Sequence, residues 1–150
     1  MDSAHQAAGL AELSQRLQSR GFAALDETSV DAFVDAPGTA LLLFADDPRR
    51  GGETWDVAVV LPEALRAVAA PLRAGFLLPE AGRRLQPRYG FTRWPAAVFM
   101  RDGAYVGAIE GMRDWSEYQS EVAQMLLRPS SRAPTLGVAI SAAAGGSCGE

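Results

Sequence analysis

RYGFTRWP at residues 88–95 leads directly into the apolar run AAVFM at residues 96–100. A short apolar run bounded by turn residues is typical of a β-strand. Asp102-Gly103 follows, and this pair between two apolar segments is the strongest short-range signal for a β-hairpin. YVGAI at residues 105–109 supplies the second strand of the hairpin. The stretch therefore predicts the end of a helix followed by two antiparallel strands.

The segments before and after this stretch alternate between helix and strand. ALLLF at residues 40–44 is apolar at every position, which indicates a strand covered on both faces of a sheet. Helices between the early strands require parallel crossovers, whereas the hairpin requires an antiparallel pair. The sequence therefore predicts an α/β fold with a mixed central sheet, helices on both faces, and a C-terminal hairpin followed by a helix. The other predicted elements are helices at 7–19, from Thr28, at 54–69 with a kink at Pro62, at 80–88 and at 114–127, and strands at 22–25 and 73–78.

Composition excludes several classes of chemistry. The chain of 150 residues has one cysteine, Cys148, and one histidine, His5. It therefore has no disulfide framework, no cysteine zinc site and no CxxC pair. It contains no lysine, so a P-loop is impossible, and the net charge of −4 comes without the basic patch that nucleic acid requires. We expect no catalytic residue, no metal and no cofactor.

Domain organisation follows from the same composition. We predict an N-terminal helical extension at residues 1–21, a folded domain at 22–128 and a flexible C-terminal tail at 129–150 that holds Cys148. No apolar run approaches the roughly 20 residues of a membrane span, and the N-terminus lacks the pattern of a signal peptide. We therefore expect a cytoplasmic protein that does not cross a membrane.

The order of these elements resembles the thioredoxin fold over about residues 22–127. RYGFTRWP matches the family stretch that ends in a cis-proline, which places that bond before Pro95. FMRDG at residues 99–103 matches the hairpin, and Gly111 precedes the last helix as in the family. Pro62 matches the proline of the long thioredoxin helix, and counting back from it places the redox tetrapeptide at TWDV, residues 54–57. Both cysteines are absent there, so the resemblance implies a scaffold without thiol–disulfide exchange.

A narrower resemblance is to the hydrogenase expression/synthesis proteins of the HyaE/HupG type, which keep the thioredoxin-like fold and lack the CxxC. The segments that carry it are DPRR at 47–50, Glu53, Asp56, VAVVLPE at 57–63, RYGF at 88–91, Trp94-Pro95 and GMRDWSEY at 111–118. Gly52 departs from the proline that we expect in relatives. The resemblance implies a non-catalytic, chaperone-like accessory factor in the maturation of [NiFe] uptake hydrogenases. Its implied partner is the small-subunit precursor, bound through its twin-arginine signal peptide before export.

The resemblance also implies a peptide-binding face where thioredoxin displays its cysteines. Carboxylates suit an arginine-rich ligand because arginine–carboxylate contacts are charge-assisted and often bidentate. The competing interpretation is that these acids favour a helix N-terminus and pair with Arg49 and Arg50. Trp94 either offers its ring to a peptide or packs in the core. The candidate peptide-binding residues are Glu53, Asp56, Trp94, Pro95, Asp46 and Asp47.

Other residues leave alternatives open. Asp26, Glu27, Asp31 and Asp35 form either an acidic surface for a basic partner or a solvated helix face. We predict that Trp55 and Trp115 anchor the core. Two further functions remain open: a scaffold that binds other hydrogenase maturation proteins, and a monothiol redox protein that uses Cys148.

Overall fold

A computed structural model describes residues 2–50 and 52–135, with side chains from residue 9 onward. Cys148 and the rest of the predicted tail beyond residue 135 lie outside the described residues. The elements are α1 (Asp2–Ser19), β1 (Ala23–Leu25), α2 (Val30–Asp35), β2 (Thr39–Phe44), a 3₁₀ turn (Pro48–Arg50), α3 (Glu53–Ala67), β3 (Leu72–Leu77), α4 (Pro79–Tyr89), β4 (Ala96–Arg101), β5 (Ala104–Glu110) and α5 (Trp115–Leu127).

The strands form one mixed sheet in the order β1-β3-β2-β4-β5. β3 pairs in parallel with both β1 and β2, as the helical crossovers between them require. β4 pairs antiparallel with β2 and β5, in a register that places Leu42 opposite Val98. The predicted mixed sheet and C-terminal hairpin are therefore confirmed.

Side chains on the two faces of the sheet enter two separate core clusters. Leu41 and Leu43 of β2 join the cluster that contains buried residues of α1, α3 and α5. Leu42 and Phe44 point to the opposite face and join the cluster with buried residues of α2 and α4. Because successive side chains of a strand alternate between faces, a strand between two helical layers is apolar throughout. This explains the uninterrupted ALLLF sequence.

The hairpin turn has the backbone geometry that its sequence predicts. Asp102 and Gly103 have φ values of 51° and 82°, so both central residues are left-handed, as a type I′ turn requires. The Asp102 carboxylate also accepts a hydrogen bond from the Gly38 amide at 2.7 Å. The turn is thereby tied to the loop that enters β2.

The predicted start of the second helix at Thr28 is wrong. α2 begins at Val30 with Ser29 at the N-cap position, and no side-chain hydrogen bond caps it. The reason is that Asp26 takes the capping role first, since its Oδ1 accepts hydrogen bonds from the amides of Thr28 and Ser29. The Thr28 hydroxyl, the Thr28 amide and Ser29 all donate to this carboxylate, which lowers the pKa of Asp26.

The prediction that Trp55 and Trp115 anchor the core is also wrong, because their exposed fractions are 36% and 48%. The buried stripe of α3 falls on Thr54, Val57 and Leu61, so that Trp55 lies beside it. Its ring instead packs under the Arg16 guanidinium, 5.9 Å from the ring centroid. Trp115 is the first residue of α5 and lies one turn before the buried part of that helix.

The described part of the C-terminal segment, residues 129–135, has no regular secondary structure and is largely exposed. It stays close to the domain, since the Ser131 amide donates to the Tyr105 carbonyl at 2.6 Å and Pro134 lies against Gly90. The domain boundaries remain predictions. None of the helices in the described residues is both long and apolar enough to cross a membrane.

Candidate functional site

The loop after β2, the first turn of α3 and the segment before β4 meet at one end of the sheet and form a cavity of about 300 Å³. We call it the acidic cavity. Five of the six candidate residues line it, and Asp56 lies outside its lining although it belongs to the same first turn of α3. The lining residues are Asp46, Asp47, Arg50, Gly52, Glu53, Thr54, Trp94 and Pro95.

Pro95 follows a cis peptide bond, as the resemblance to thioredoxin implies. Its carbonyl accepts a hydrogen bond from the Gly111 amide at 2.7 Å. The amides of Thr92 and Arg93 both donate to Glu110. Within the described residues, no hydrogen bond engages the amide or the carbonyl of Trp94. The backbone at Trp94 is therefore available to pair with an extended chain beside the cavity.

The Trp94 ring is half-buried and forms a wall between the cavity and the core. It packs against Phe91, with ring centroids 5.1 Å apart, and against Phe44 at 6.2 Å, both edge to face. Gly82 of α4 lies beneath it, and a Cβ at that position would come within 3.2 Å of the ring. Packing therefore fixes the orientation of Trp94 while part of the ring stays accessible.

Thr54 and Val57 occupy the two positions that the resemblance assigns to the redox cysteines. Both are buried, with exposed fractions of 3% and 1%. The Thr54 hydroxyl accepts a hydrogen bond from the Asp46 amide at 3.0 Å and so ties the loop after β2 to α3. Neither side chain can supply the thiolate on which thiol–disulfide exchange depends.

The loop acids Asp46 and Asp47 act on their own loop. Asp46 Oδ1 accepts the Asp47 amide at 2.8 Å, and Asp47 Oδ1 accepts the Arg49 amide at 2.9 Å. Asp47 also lies 3.9 Å from Arg49 Nε, and Asp46 lies 3.9 Å from Arg83 Nη2. Asp47 therefore pairs with Arg49, as the competing interpretation expects. Asp46 also serves its own loop, but the arginine that it faces is Arg83.

Glu53 and Asp56 differ from the loop acids because both are exposed and neither forms an ion pair or a side-chain hydrogen bond with a described residue. The expected alternative, pairing with Arg49 and Arg50, is not observed for them in this part of the chain. The N-terminus of α3 contributes roughly half a positive charge, against two full negative charges. The first turn of α3 therefore remains anionic and open to a cationic ligand.

The exposure of Trp115, at the start of the helix that follows the loop tied to Pro95, is a feature that sequence reasoning missed. The Gly111–Pro95 hydrogen bond places the loop before α5 beside the acidic cavity. Burial raises the pKa of Tyr118 to about 12, and the Glu53 carboxylate adds to this shift, so the starts of α3 and α5 lie within electrostatic range. The periodicity of 115, 118, 122 and 125 predicts a single buried stripe, and only the structure shows that its first member is exposed.

No group of three or more His, Cys, Asp or Glu side chains in the described part of the chain is placed to hold a metal ion.

The sheet, the cis-proline and the absent cysteine pair define a thioredoxin-like protein without the CxxC motif. The fold is similar to that of a thioredoxin from Malassezia sympodialis, with a TM-score of 0.59 over 70% of this chain and 90% of that one, at 12% identity. The chain belongs to the family described as hydrogenase-1 expression protein HyaE, whose sequence model matches residues 13–118. It is therefore an accessory protein of the hydrogenase expression/formation type.

Relatives of nearly the same length support this assignment. The chain is 47% identical to the hydrogenase expression/formation protein HoxO of Cupriavidus necator, over 83% of this chain and 79% of that protein. It is 38% identical to HoxO of Azotobacter vinelandii, over 84% and 85% of the two chains. It is 33% identical to HupG of Bradyrhizobium diazoefficiens, over 83% and 86%.

Proposed function

We propose that this protein is a non-catalytic chaperone that binds the twin-arginine signal peptide of the hydrogenase small-subunit precursor in the cytoplasm. The observation that carries the proposal is the acidic cavity beside Trp94-Pro95, where Glu53 lines the cavity and Asp56 lies in the same turn of α3, and neither carboxylate pairs with a described residue. Membership of the HyaE family supplies the hydrogenase context. Reversible binding would delay export until cofactor insertion and subunit pairing are complete.

Two kinds of contact would hold the peptide. The amide and carbonyl of Trp94, which bond to no described residue, offer hydrogen bonds to an extended backbone, and such bonds give affinity without regard to sequence. The carboxylates of Glu53 and Asp56 offer acceptors to the planar fork of an arginine side chain. Because lysine presents a point charge, it cannot make the same bidentate contact. The site should therefore prefer an Arg-Arg pair to a Lys-Lys pair.

The test is a calorimetric titration of the full chain with the signal peptide and with its Lys-Lys variant. Glu53→Gln and Asp56→Asn should each weaken Arg-Arg binding roughly two- to fivefold, as expected for exposed ion pairs. The losses should shrink as salt is raised, because screening weakens exposed charge pairs.

Asp35→Asn provides the matched control. Asp35 is exposed and lies beside Gly103 in the hairpin turn, at the other end of the six-residue strand β4, about 20 Å from Pro95. Its substitution removes the same charge and should leave binding unchanged. Equal affinity for the Arg-Arg and Lys-Lys peptides, or no binding of either, would refute arginine recognition. Co-purification with a small subunit that lacks its signal peptide would instead favour the scaffold function.

A further inference from the structure

A second and larger cavity, of about 590 Å³, adjoins the acidic cavity on the other side of the 3₁₀ turn. We call it the arginine cavity. Asp47 and Arg50 line both cavities, so the two open next to each other. Its lining residues are Leu10, Asp47, Arg49, Arg50, Leu78, Pro79, Glu80 and Arg83.

The three arginines of this cavity keep much of their capacity to donate hydrogen bonds. Arg50 forms no ion pair or side-chain hydrogen bond with a described residue. Arg49 and Arg83 each face a carboxylate only at 3.9 Å, which is longer than a hydrogen bond. Of the two acids in the lining, Asp47 accepts the Arg49 amide and Glu80 contacts Arg84 at 3.3 Å. The cavity can therefore take a further anionic group.

The N-terminus of α4 adds to this positive character. Leu78 occupies the N-cap position without a side-chain hydrogen bond and Pro79 has no N–H, so the amides of Glu80 and Ala81 are the donors that no described residue caps. Leu78, Pro79 and Glu80 all line the arginine cavity, so this uncapped end of an 11-residue helix lies against it. A helix N-terminus stabilises a nearby anion through its amides and its dipole. The guanidinium groups and the helix end thus favour the same kind of ligand.

The cavity also has an apolar part, formed by Leu10, Leu78 and Pro79. An anion with an apolar neighbour fits this combination better than a free inorganic ion. We infer that the arginine cavity binds an acidic side chain, flanked by an apolar one, of the same extended peptide whose basic residues lie in the acidic cavity. This inference rests on the proposed function, and it adds a second specificity determinant a few residues from the arginine pair.

The experiment uses three sets of peptides and the full chain. The first set carries Arg-Arg and one Glu that is moved stepwise away from the pair on either side, with Leu next to it. The second set has Gln in place of Glu, and the third has Gln-Gln in place of Arg-Arg. At one spacing the Glu peptide should bind roughly three- to tenfold more tightly than its Gln counterpart, as a charge-assisted contact predicts.

Arg49→Gln and Arg83→Gln, at arginines that line the arginine cavity but not the acidic cavity, should abolish this difference while leaving the affinity for the Gln peptide nearly unchanged. Arg66→Gln is the matched control, because Arg66 is an exposed arginine near the far end of the 15-residue helix α3, about 20 Å from Glu53. It should preserve the preference for Glu. Circular dichroism and the thermal midpoint of each variant establish that the fold is intact.

The outcomes separate the two proposals. Failure to distinguish Arg-Arg from Lys-Lys peptides refutes the proposed function alone. In that case, peptides with Gln-Gln in place of Arg-Arg but with the Glu retained would still support the arginine cavity if Arg83→Gln lowers their affinity. The inference is overturned if Glu and Gln peptides bind equally at every spacing, or if Arg49→Gln and Arg83→Gln weaken both sets alike.

Discussion

Tyr118→Phe tests how the end of the sheet that carries the site is held together. The Tyr118 side chain is buried, and its hydroxyl donates to the Gly111 carbonyl at 3.0 Å. Gly111 in turn donates its amide to the Pro95 carbonyl. The substitution removes one hydrogen bond and leaves a buried carbonyl without its partner, which should lower the free energy of unfolding by about 1–2 kcal/mol at pH 7. For a chain of this length, that corresponds to a fall of about 2–8 °C in the thermal midpoint.

The same residue predicts a loss of stability at alkaline pH. Burial raises the pKa of Tyr118 from 10.0 to about 12, so the folded state favours the neutral phenol. The resulting stabilisation is fully present below pH 10 and is lost as pH rises from 10 to 12. Two pKa units limit the loss to about 2.7 kcal/mol. The chain has no lysine, so the tyrosines are the principal groups that titrate in this window.

The free energy of unfolding of the unsubstituted protein and of Tyr118→Phe is measured by urea unfolding. The series runs from pH 7 to the highest pH at which unfolding stays reversible. The variant should start lower and lose stability more slowly above pH 10, so that the two curves converge. Tyr105→Phe is the control for the loss of stability at pH 7. Burial also raises the pKa of Tyr105, but its hydroxyl makes no hydrogen bond with a described residue, so this substitution removes no such bond. Parallel curves above pH 10 would refute the assignment of the alkaline loss to Tyr118.

Three further predictions concern stability. Thr54→Val should cost about 1–2 kcal/mol in urea unfolding, because the loop amide bound by the hydroxyl loses its partner; an unchanged midpoint would contradict this. Gly90→Ala should lower the free energy of unfolding more than Gly21→Ala, because both glycines have positive φ but only Gly90 lies against residues 129–135. If the chain is ended before residue 129, the two substitutions should have equal effects. Asp114→Ala should lower the thermal midpoint by removing a capping box. Because hydrogen bonds from the first turn lower the pKa of Asp114, this deficit should shrink as pH falls below 3.8, and a constant deficit would count against the cap.

The sequence predicted the parts of the fold that depend on local periodicity and turn chemistry. ALLLF at residues 40–44 indicated a strand between two helical layers, and Asp102-Gly103 indicated a tight hairpin. The start of the last helix, predicted at residue 114, was equally readable, because Asp114 caps the helix with its own side chain. The resemblance to thioredoxin, counted back from Pro62, placed the redox tetrapeptide at residues 54–57, and of these residues Thr54 lines the acidic cavity.

The errors and omissions have a common physical origin. Periodicity predicts which side of a helix faces the core, but it does not show where the helix extends past the sheet. Trp115 continues the buried stripe of α5 and is exposed because it begins the helix beyond the covered region. The arginine cavity depends on the meeting of α1, the 3₁₀ turn and α4, whose residues are far apart in sequence. No single stretch could predict it.

The first turn of α3 shows how one scaffold can present charge in place of a reactive thiol. Glu53 and Asp56 are three residues apart and share one side of the helix, and this side is exposed. Thr54 and Val57, at the positions of the absent cysteines, share the neighbouring side, which is buried. Because Thr54 bonds to the loop after β2, the buried side stabilises the turn that displays the acids. Restoring a cysteine at position 54 alone would therefore remove a structural hydrogen bond and bury the new thiol, and it would not create a redox site.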